Sequence, residues 1–233
     1  RMLQGAGAIS AVVTALLADQ TRDEVRTKAM ALVGASIGLM FALSLVAAPL
    51  LAAQIGLGGL FAVTGALALS GIAVVVWWTP PEPLQQKNTP RGRLSEVLTH
   101  AALLRLDFGV FVLHAVQLAM WVAVPALLVQ AGLETGHHWQ VYLPAVLASF
   151  VVMGAALFPL ERRGYLRGVF LGAIALIALV QVGLALSASA PGIAVLSALL
   201  FAFFCGSNIL EASQPSIASR AAPAHARGAA LGF

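Results

Sequence analysis

The sequence predicts an all-α fold, a polytopic transmembrane helix bundle, on three observations. First, 60% of the residues are hydrophobic and only 9% are charged, with a mean hydropathy of +0.94, whereas soluble domains are about a quarter charged. Second, the charges are absent over long stretches: none lies in 29–81, 108–133, 135–160 or 168–210. A spanning helix needs roughly 20 apolar residues, and these runs are too long and aliphatic to be barrel strands, which alternate over about ten residues. Third, twelve of the thirteen Lys and Arg residues fall in every second connector. They group at 22–28, 87–105, 162–167 and 220–227, while 52–58, 131–138 and 187–192 hold none. That alternation is the positive-inside pattern and places the basic connectors in the cytoplasm.

Arg1 to Ala18 reads as the latter part of a span running inward. Ala18 to Lys28 follows, with six charges in the ten positions from Asp19. Each charge would cost about 2.5 kcal/mol or more at the bilayer centre, so this segment is expected to be a short aqueous loop. Thr27–Ala53 returns outward and Leu57–Trp78 comes back, with Gln54-Ile55-Gly56 between them and Trp77-Trp78 suited to the interface. Thr79 to Arg105 is the longest connector; Pro80, Pro81 and Pro83 stop the helix, and Leu94–Leu104 is expected to form a short interfacial helix. Leu106–Ala131, Trp139–Leu160, Gly164–Leu186 and Ile193 to about Ser213 complete seven spans, and Gly228 would open an eighth. The division expected is therefore 1–78 in one lobe, a cytoplasmic loop at 79–105, and 106–233 in a second lobe. Starting and ending inside apolar patterns, the chain reads as a fragment cut at both ends.

The net charge of +4 would suggest nucleic acid in a soluble protein. The alternation of the basic groups argues for the membrane instead. The lone Cys205 excludes an internal disulfide. No glycine-rich phosphate loop follows a strand, so nothing suggests a nucleotide-driven pump.

Polar residues within the spans are few and grouped. Arg1 and Gln4 lie in the first span; Asp107, His114, Gln117 and Trp121 in the span after the central loop; Ser207, Asn208 and Glu211 in the last complete one. The spacings 107, 114, 121 and 114, 117 put those side chains on one helical face, as 208 and 211 are on theirs. Ionisable groups at membrane depth mark pathways because facing lipid is so costly; the plain alternative is an inter-helical hydrogen bond. Asp107, near the cytoplasmic edge, reads as structural. Gly34-Ala35-Ser36-Ile37-Gly38 matches the G-x-S-x-G esterase pattern but lies in an apolar helix rather than at a strand-to-helix turn. Gly34, Gly38 and Ala42, four apart, read instead as a packing seam. Glu134 with His137 and His138 could ligate a metal, yet adjacent histidines suit one ion poorly, and a solvated loop is the expectation.

A weak internal echo relates the two ends: with Arg26 laid over Arg227, Gly5 falls on Gly206 and Ala29 on Ala230. Repeated bundles of this kind build many transporters. Arg1-x-x-Gln4-Gly5-x-Gly7-Ala8 resembles the fourth-helix signature of the major facilitator superfamily, and Asp19 to Arg26 the charged loop after it. Ser219-Arg220-x-x-Pro223-x-x-x-Arg227-Gly228-x-Ala230 resembles the loop after the tenth helix. Within that superfamily the chain resembles the YajR-type branch of proton-driven efflux transporters, through Arg26 to Ala31, Leu113-His114, His138 to Leu143, Glu211-Ala212 and Pro215-Ser216.

The resemblance implies the major facilitator fold, twelve helices in two six-helix lobes of which helices four to the start of eleven are present, moving by alternating access. It implies a multi-pass protein of the inner membrane, monomeric at full length, with lipid and a small molecule as partners and no cofactor beyond a coupling proton. Helices four, seven and ten line the cavity in that family, so Arg1, Gln4, His114, Gln117, Trp121, Asn208 and Glu211 are the expected cavity and proton-coupling residues. Asp19, Arg22, Arg26, Glu161, Arg162, Arg163, Arg220 and Arg227 are the expected cytoplasmic gate. The family's antiporter motif ends in Gly-Pro and paired glycines; here Ala48-Pro49-Leu50-Leu51-Ala52-Ala53 keeps the small residues and loses the glycines, which favours transport over antiport specifically. An importer of sugars or metabolites, and a non-transporting receptor or scaffold, are the competing expectations.

Overall fold

The computed structural model describes residues 10–79 and 99–222, the side chains of 10–12, 15, 19 and 23 aside. The expectations for Arg1, Gln4, Arg227 and the eighth span, and most of those for the central connector, lie outside these residues. Among the described residues six α-helices follow one another: α1 Ser10–Gln20, α2 Asp23–Trp78, α3 Ala101–Gln130, α4 Trp139–Arg162, α5 Leu166–Ser187 and α6 Ile193–Ala221. A short 3-10 turn, Thr135–His137, lies before α4. Among the described residues five helices are long and apolar enough to cross a membrane. The 55-residue apolar part of α2 has length for two crossings.

The two crossings of α2 meet at Gly56, whose φ of 69° and ψ of 178° leave the helical region. A side chain is strained at that positive φ, so the break falls where the sequence offers glycine. Two other helix ends use the same freedom. After α4, Gly164 has φ 82°, its N–H reaches the Glu161 carbonyl (2.9 Å) and the Tyr165 N–H reaches Leu160 (2.9 Å). This paired closure satisfies terminal carbonyls and reverses the chain quickly; Gly132 and Leu133 repeat it after α3.

Three boundaries differ from expectation. The charged segment 18–28 is not a loop: α1 runs to Gln20, α2 starts at Asp23, and only Thr21 and Arg22 separate them. The charges sit on helix ends, where acids in the first turn of α2 suit the helix dipole. α3 begins at Ala101, inside the expected connector. α6 continues to Ala221, well past Ser213, through Pro215. Its polar tail stays helical because other helices bury it, as the partners of Ser216 and Arg220 below show.

α6 is the element on which the others pack: it touches α1, α2, α3, α4 and α5. Between α5 and α6 the backbones come close. A methyl on Gly206 would stand 2.8 Å from Ile177 and 3.2 Å from the Ala173 carbonyl, and one on Gly183 would stand 2.7 Å from Leu199. α5 offers Ala173, Ile177, Val180 and Leu184 as one buried face, while Leu171, Ile174, Leu179 and Val182 are exposed. In lipid such packing is driven by close van der Waals fit rather than by expulsion of water. Small residues matter again between α2 and α4: Gly38 lies directly against the Phe150 ring and Ala42 is fully buried, as the seam predicts, while Gly34 meets nothing within 4 Å. Ser36 bonds only the Val33 carbonyl of its own helix (2.7 Å). Beyond Gly56, α2 is almost wholly exposed within the described structure.

Gly206→Leu is expected to force α5 and α6 apart and to destabilise the protein by about 1–3 kcal/mol. Gly172→Leu, on the open side of α5 where nothing lies within 4 Å, is expected to change little. Thermal denaturation of both variants in detergent checks the difference.

Candidate functional site

α6 carries the polar residues that its neighbours must satisfy. In antiparallel register with α3, it sets Ala222 against Leu103, Gln214 against Gly109, Glu211 against Gln117 and Phe204 against Trp121. Alongside α4, in parallel, it sets Asn208 against Ser149 and Arg220 against Glu161. The polar groups therefore form levels along one helix.

The deepest level joins α3 and α6. Gln117 Nε2 donates to Glu211 Oε1 at 3.2 Å. His114 stands one turn before Gln117, exposed, with Nδ1 2.9 Å from its own helix's Val110 carbonyl. Pro215 has no N–H for the carbonyl of Glu211 four residues earlier, so the backbone at that carboxylate lacks a ladder bond. Toward the outer end, Asn208 Nδ2 donates to Ser149 Oγ at 2.8 Å, and Ser149 in turn to the Val146 carbonyl at 2.6 Å.

Trp121 lies in an aromatic cluster. Its ring stacks on Tyr142 (centroids 5.5 Å apart, 20° between planes) and meets Phe41 at 4.8 Å and Phe204 at 6.3 Å. Four helices, α2, α3, α4 and α6, each give one ring. The Tyr142 hydroxyl is buried without a hydrogen-bond partner among the described residues, and so is one carboxylate oxygen of Asp107.

At the basic end Thr27 of α2 is the junction of three helices. Its hydroxyl lies 2.5 Å from Glu161 Oε1, 2.7 Å from Ser216 Oγ and 3.3 Å from Arg220 Nη2. Arg220 also pairs with Glu161 at 3.1 Å. Thr27 and Ser216 are both fully buried. Of the expected gate residues, this level unites Glu161 and Arg220 and leaves Arg22, Arg162 and Arg163 exposed. Arg26, 4% exposed, turns the other way and donates to the Ala18 (3.1 Å) and Thr21 (3.2 Å) carbonyls. It caps the C-terminal end of α1, where positive charge suits the dipole. The side chain of Asp19 lies outside the described residues.

Thr27, Ser149, Gln214 and Ser216 are absent from the sequence-based set. The signal available was positional: Thr27 sits in the Arg26-Thr27-Lys28 run and Ser216 beside Pro215. The two loop histidines go to different partners. His138 is buried with Nε2 3.2 Å from the Leu133 carbonyl, and His137 is exposed, 3.8 Å from Glu134. Among the described residues no group of His, Cys, Asp and Glu could hold a metal ion.

The Major Facilitator Superfamily model matches residues 1–233. The chain is 36% identical over 236 residues to the inner membrane transport protein YajR of Escherichia coli (strain K12), covering 100% of the chain and 52% of that protein. It is 29% identical over 163 residues to an uncharacterized transporter of Buchnera aphidicola subsp. Acyrthosiphon pisum, covering 68% of the chain and 42% of the relative. A second Buchnera transporter, from subsp. Schizaphis graminum, is 30% identical over 155 residues, 64% of the chain and 39% of that protein. The chain thus spans about half the length, or less, of the curated relatives it matches.

Thr27→Val keeps the shape of the side chain and removes the shared hydroxyl. It is expected to cost about 1 kcal/mol, in line with inter-helical hydrogen bonds in membranes, and Thr27→Ser to restore most of it. Melting temperatures of the two variants beside the native protein check this.

Proposed function

The chain belongs to the major facilitator superfamily, and from that premise we propose that it is part of a secondary active transporter of the inner membrane. It carries a small molecule by alternating access and is coupled to protons in the direction of export. In this reading α1 and the two crossings of α2 are helices four to six, and 1–78 belongs to one lobe. Residues 79–105 form the cytoplasmic connector, and 106–233, with α3 to α6 as helices seven to ten, belongs to the second lobe.

The observation that carries the reading is the Glu211 carboxylate at membrane depth, held by Gln117 across α3 and α6. A lone carboxylate there is costly unless it is used. Its protonation changes both its charge and what it accepts from Gln117, so loading a proton alters a contact between two helices. His114, one turn away, is the second titratable group on the path. The carbonyl released by Pro215 lets α6 bend at that residue. The substrate lies beside these groups, where Asn208 offers an amide and the Tyr142 hydroxyl a donor with no partner among the described residues.

In this reading the contacts among Thr27, Glu161, Ser216 and Arg220 fasten the cytoplasmic end. These contacts join α2 to α4 and α6, and hence the two lobes. Opening this end breaks them, and a difference of a few kcal/mol between states is enough for alternation.

Glu211→Gln keeps the hydrogen bond with Gln117 and removes the ionisable group. In inside-out vesicles from cells making the full-length protein, proton-gradient-driven uptake of a transported compound is expected to fall to background, while gradient-independent exchange continues. Unchanged gradient-driven uptake with an unchanged pH dependence would remove Glu211 from the mechanism.

A further inference from the structure

The basic end of the bundle holds a recess beside the junction of Thr27, Glu161 and Arg220. A cavity of about 380 Å³ between α2 and α4 is lined by Lys28, Gly154, Phe158, Pro159, Arg162 and Arg163. A second, of about 370 Å³, shares Lys28, Phe158 and Arg162 and adds Glu24, Glu161 and Arg220. The first has three cations and no acid in its wall. In the second, Glu161 is already engaged by Arg220 and Thr27. Neither Lys28, Arg162 nor Arg163 makes a salt bridge among the described residues; the Lys28 ammonium lies over the Phe158 ring, 5.9 Å from its centre.

We propose that this recess binds the phosphodiester headgroup of an anionic phospholipid of the cytoplasmic leaflet. The positive-inside rule accounts for cations near a helix end; it does not require three of them around one cavity between two helices. The depth fits a lipid as well. Arg162 and Arg163 are at the end of α4, Phe158 is one turn further in, and Gly154 is about 12 Å from Arg162 along the axis. Cations thus stand at the headgroup level, with an apolar wall below for the start of an acyl chain. Gly154 keeps that wall open, since a methyl there would meet only Phe158, at 3.9 Å. Basic pockets between helices on the cytoplasmic side are suited to such headgroups. A phosphate held by Lys28 from α2 and by Arg162 and Arg163 from α4 ties together two helices that Thr27 and Glu161 join a short way off. The bound lipid therefore favours the arrangement in which this end is closed.

The test uses the full-length protein, purified in detergent, with cardiolipin as the probe and phosphatidylcholine and inorganic phosphate as comparisons. Native mass spectrometry is expected to show retained cardiolipin, and thermal denaturation a rise in melting temperature with cardiolipin alone. Replacing Lys28, Arg162 and Arg163 together by Ala is expected to abolish the rise and lower cardiolipin affinity roughly a hundredfold. Arg163→Glu, an exposed single change that the fold tolerates, is expected to lower it about tenfold. Equal retention of phosphatidylcholine would mean a non-selective lipid shell and overturn the proposal. An equal rise with inorganic phosphate would mean a small-anion site without a lipid, and undiminished cardiolipin binding by Arg163→Glu would place the lipid elsewhere; either result overturns it too.

Discussion

A polar group inside a hydrocarbon layer has to be answered by another protein group, because no water is there to answer it. α6 concentrates this demand. Its buried part includes Ser207, Ser213, Gln214, Ser216 and Ser219 as well as the partly covered Asn208 and Glu211. Serines at 207, 213 and 219 bond carbonyls of their own helix. Those that cannot be satisfied locally reach out: Asn208 to α4, Glu211 to α3, Ser216 to α2, Arg220 to α4. The positions of α2, α3 and α4 each answer one of these demands, whereas α5 is held by close apolar packing.

Two kinds of contact hold α2 to α4 and α6, and they respond differently to change. Near the middle, Gly38 against Phe150 is a matter of shape, insensitive to charge or pH. At the basic end, Thr27, Glu161, Ser216 and Arg220 form a compact polar set that depends on the pairing of its members. Shape at mid-depth and charge at one end thus hold the same helices together by different means. The aromatic rings of Phe41, Trp121, Tyr142 and Phe204 join these three helices to α3 further out.

The spans were legible because lipid forbids charge. The helices are built around the runs without Asp, Glu, Lys or Arg, and Gln117 and Glu211, polar residues at depth, meet in space. Helix ends were less legible. α6 outruns its apolar stretch because polarity alone does not stop a helix whose polar face is covered, and Pro215 lies within it without ending it. Arg26 read as a gate charge, yet it caps α1, since a sequence does not say whether a charge will meet another side chain or a backbone carbonyl. Thr27 and Ser149 escaped notice for a related reason: hydroxyls on helices usually bond their own backbone, and only the fold shows which ones do more.

The order of the elements along the chain has a consequence for synthesis. α6 presents a carboxylate, amides and a guanidinium to the bilayer, and alone in lipid it would leave most of them unanswered. All five helices it packs against are N-terminal to it, so at the ribosome they leave first. This polar-faced helix thus reaches the insertion machinery when its partners among the described residues have already been made. Its polar face can be covered as it leaves the channel, and late arrival protects a segment that would be unsafe early.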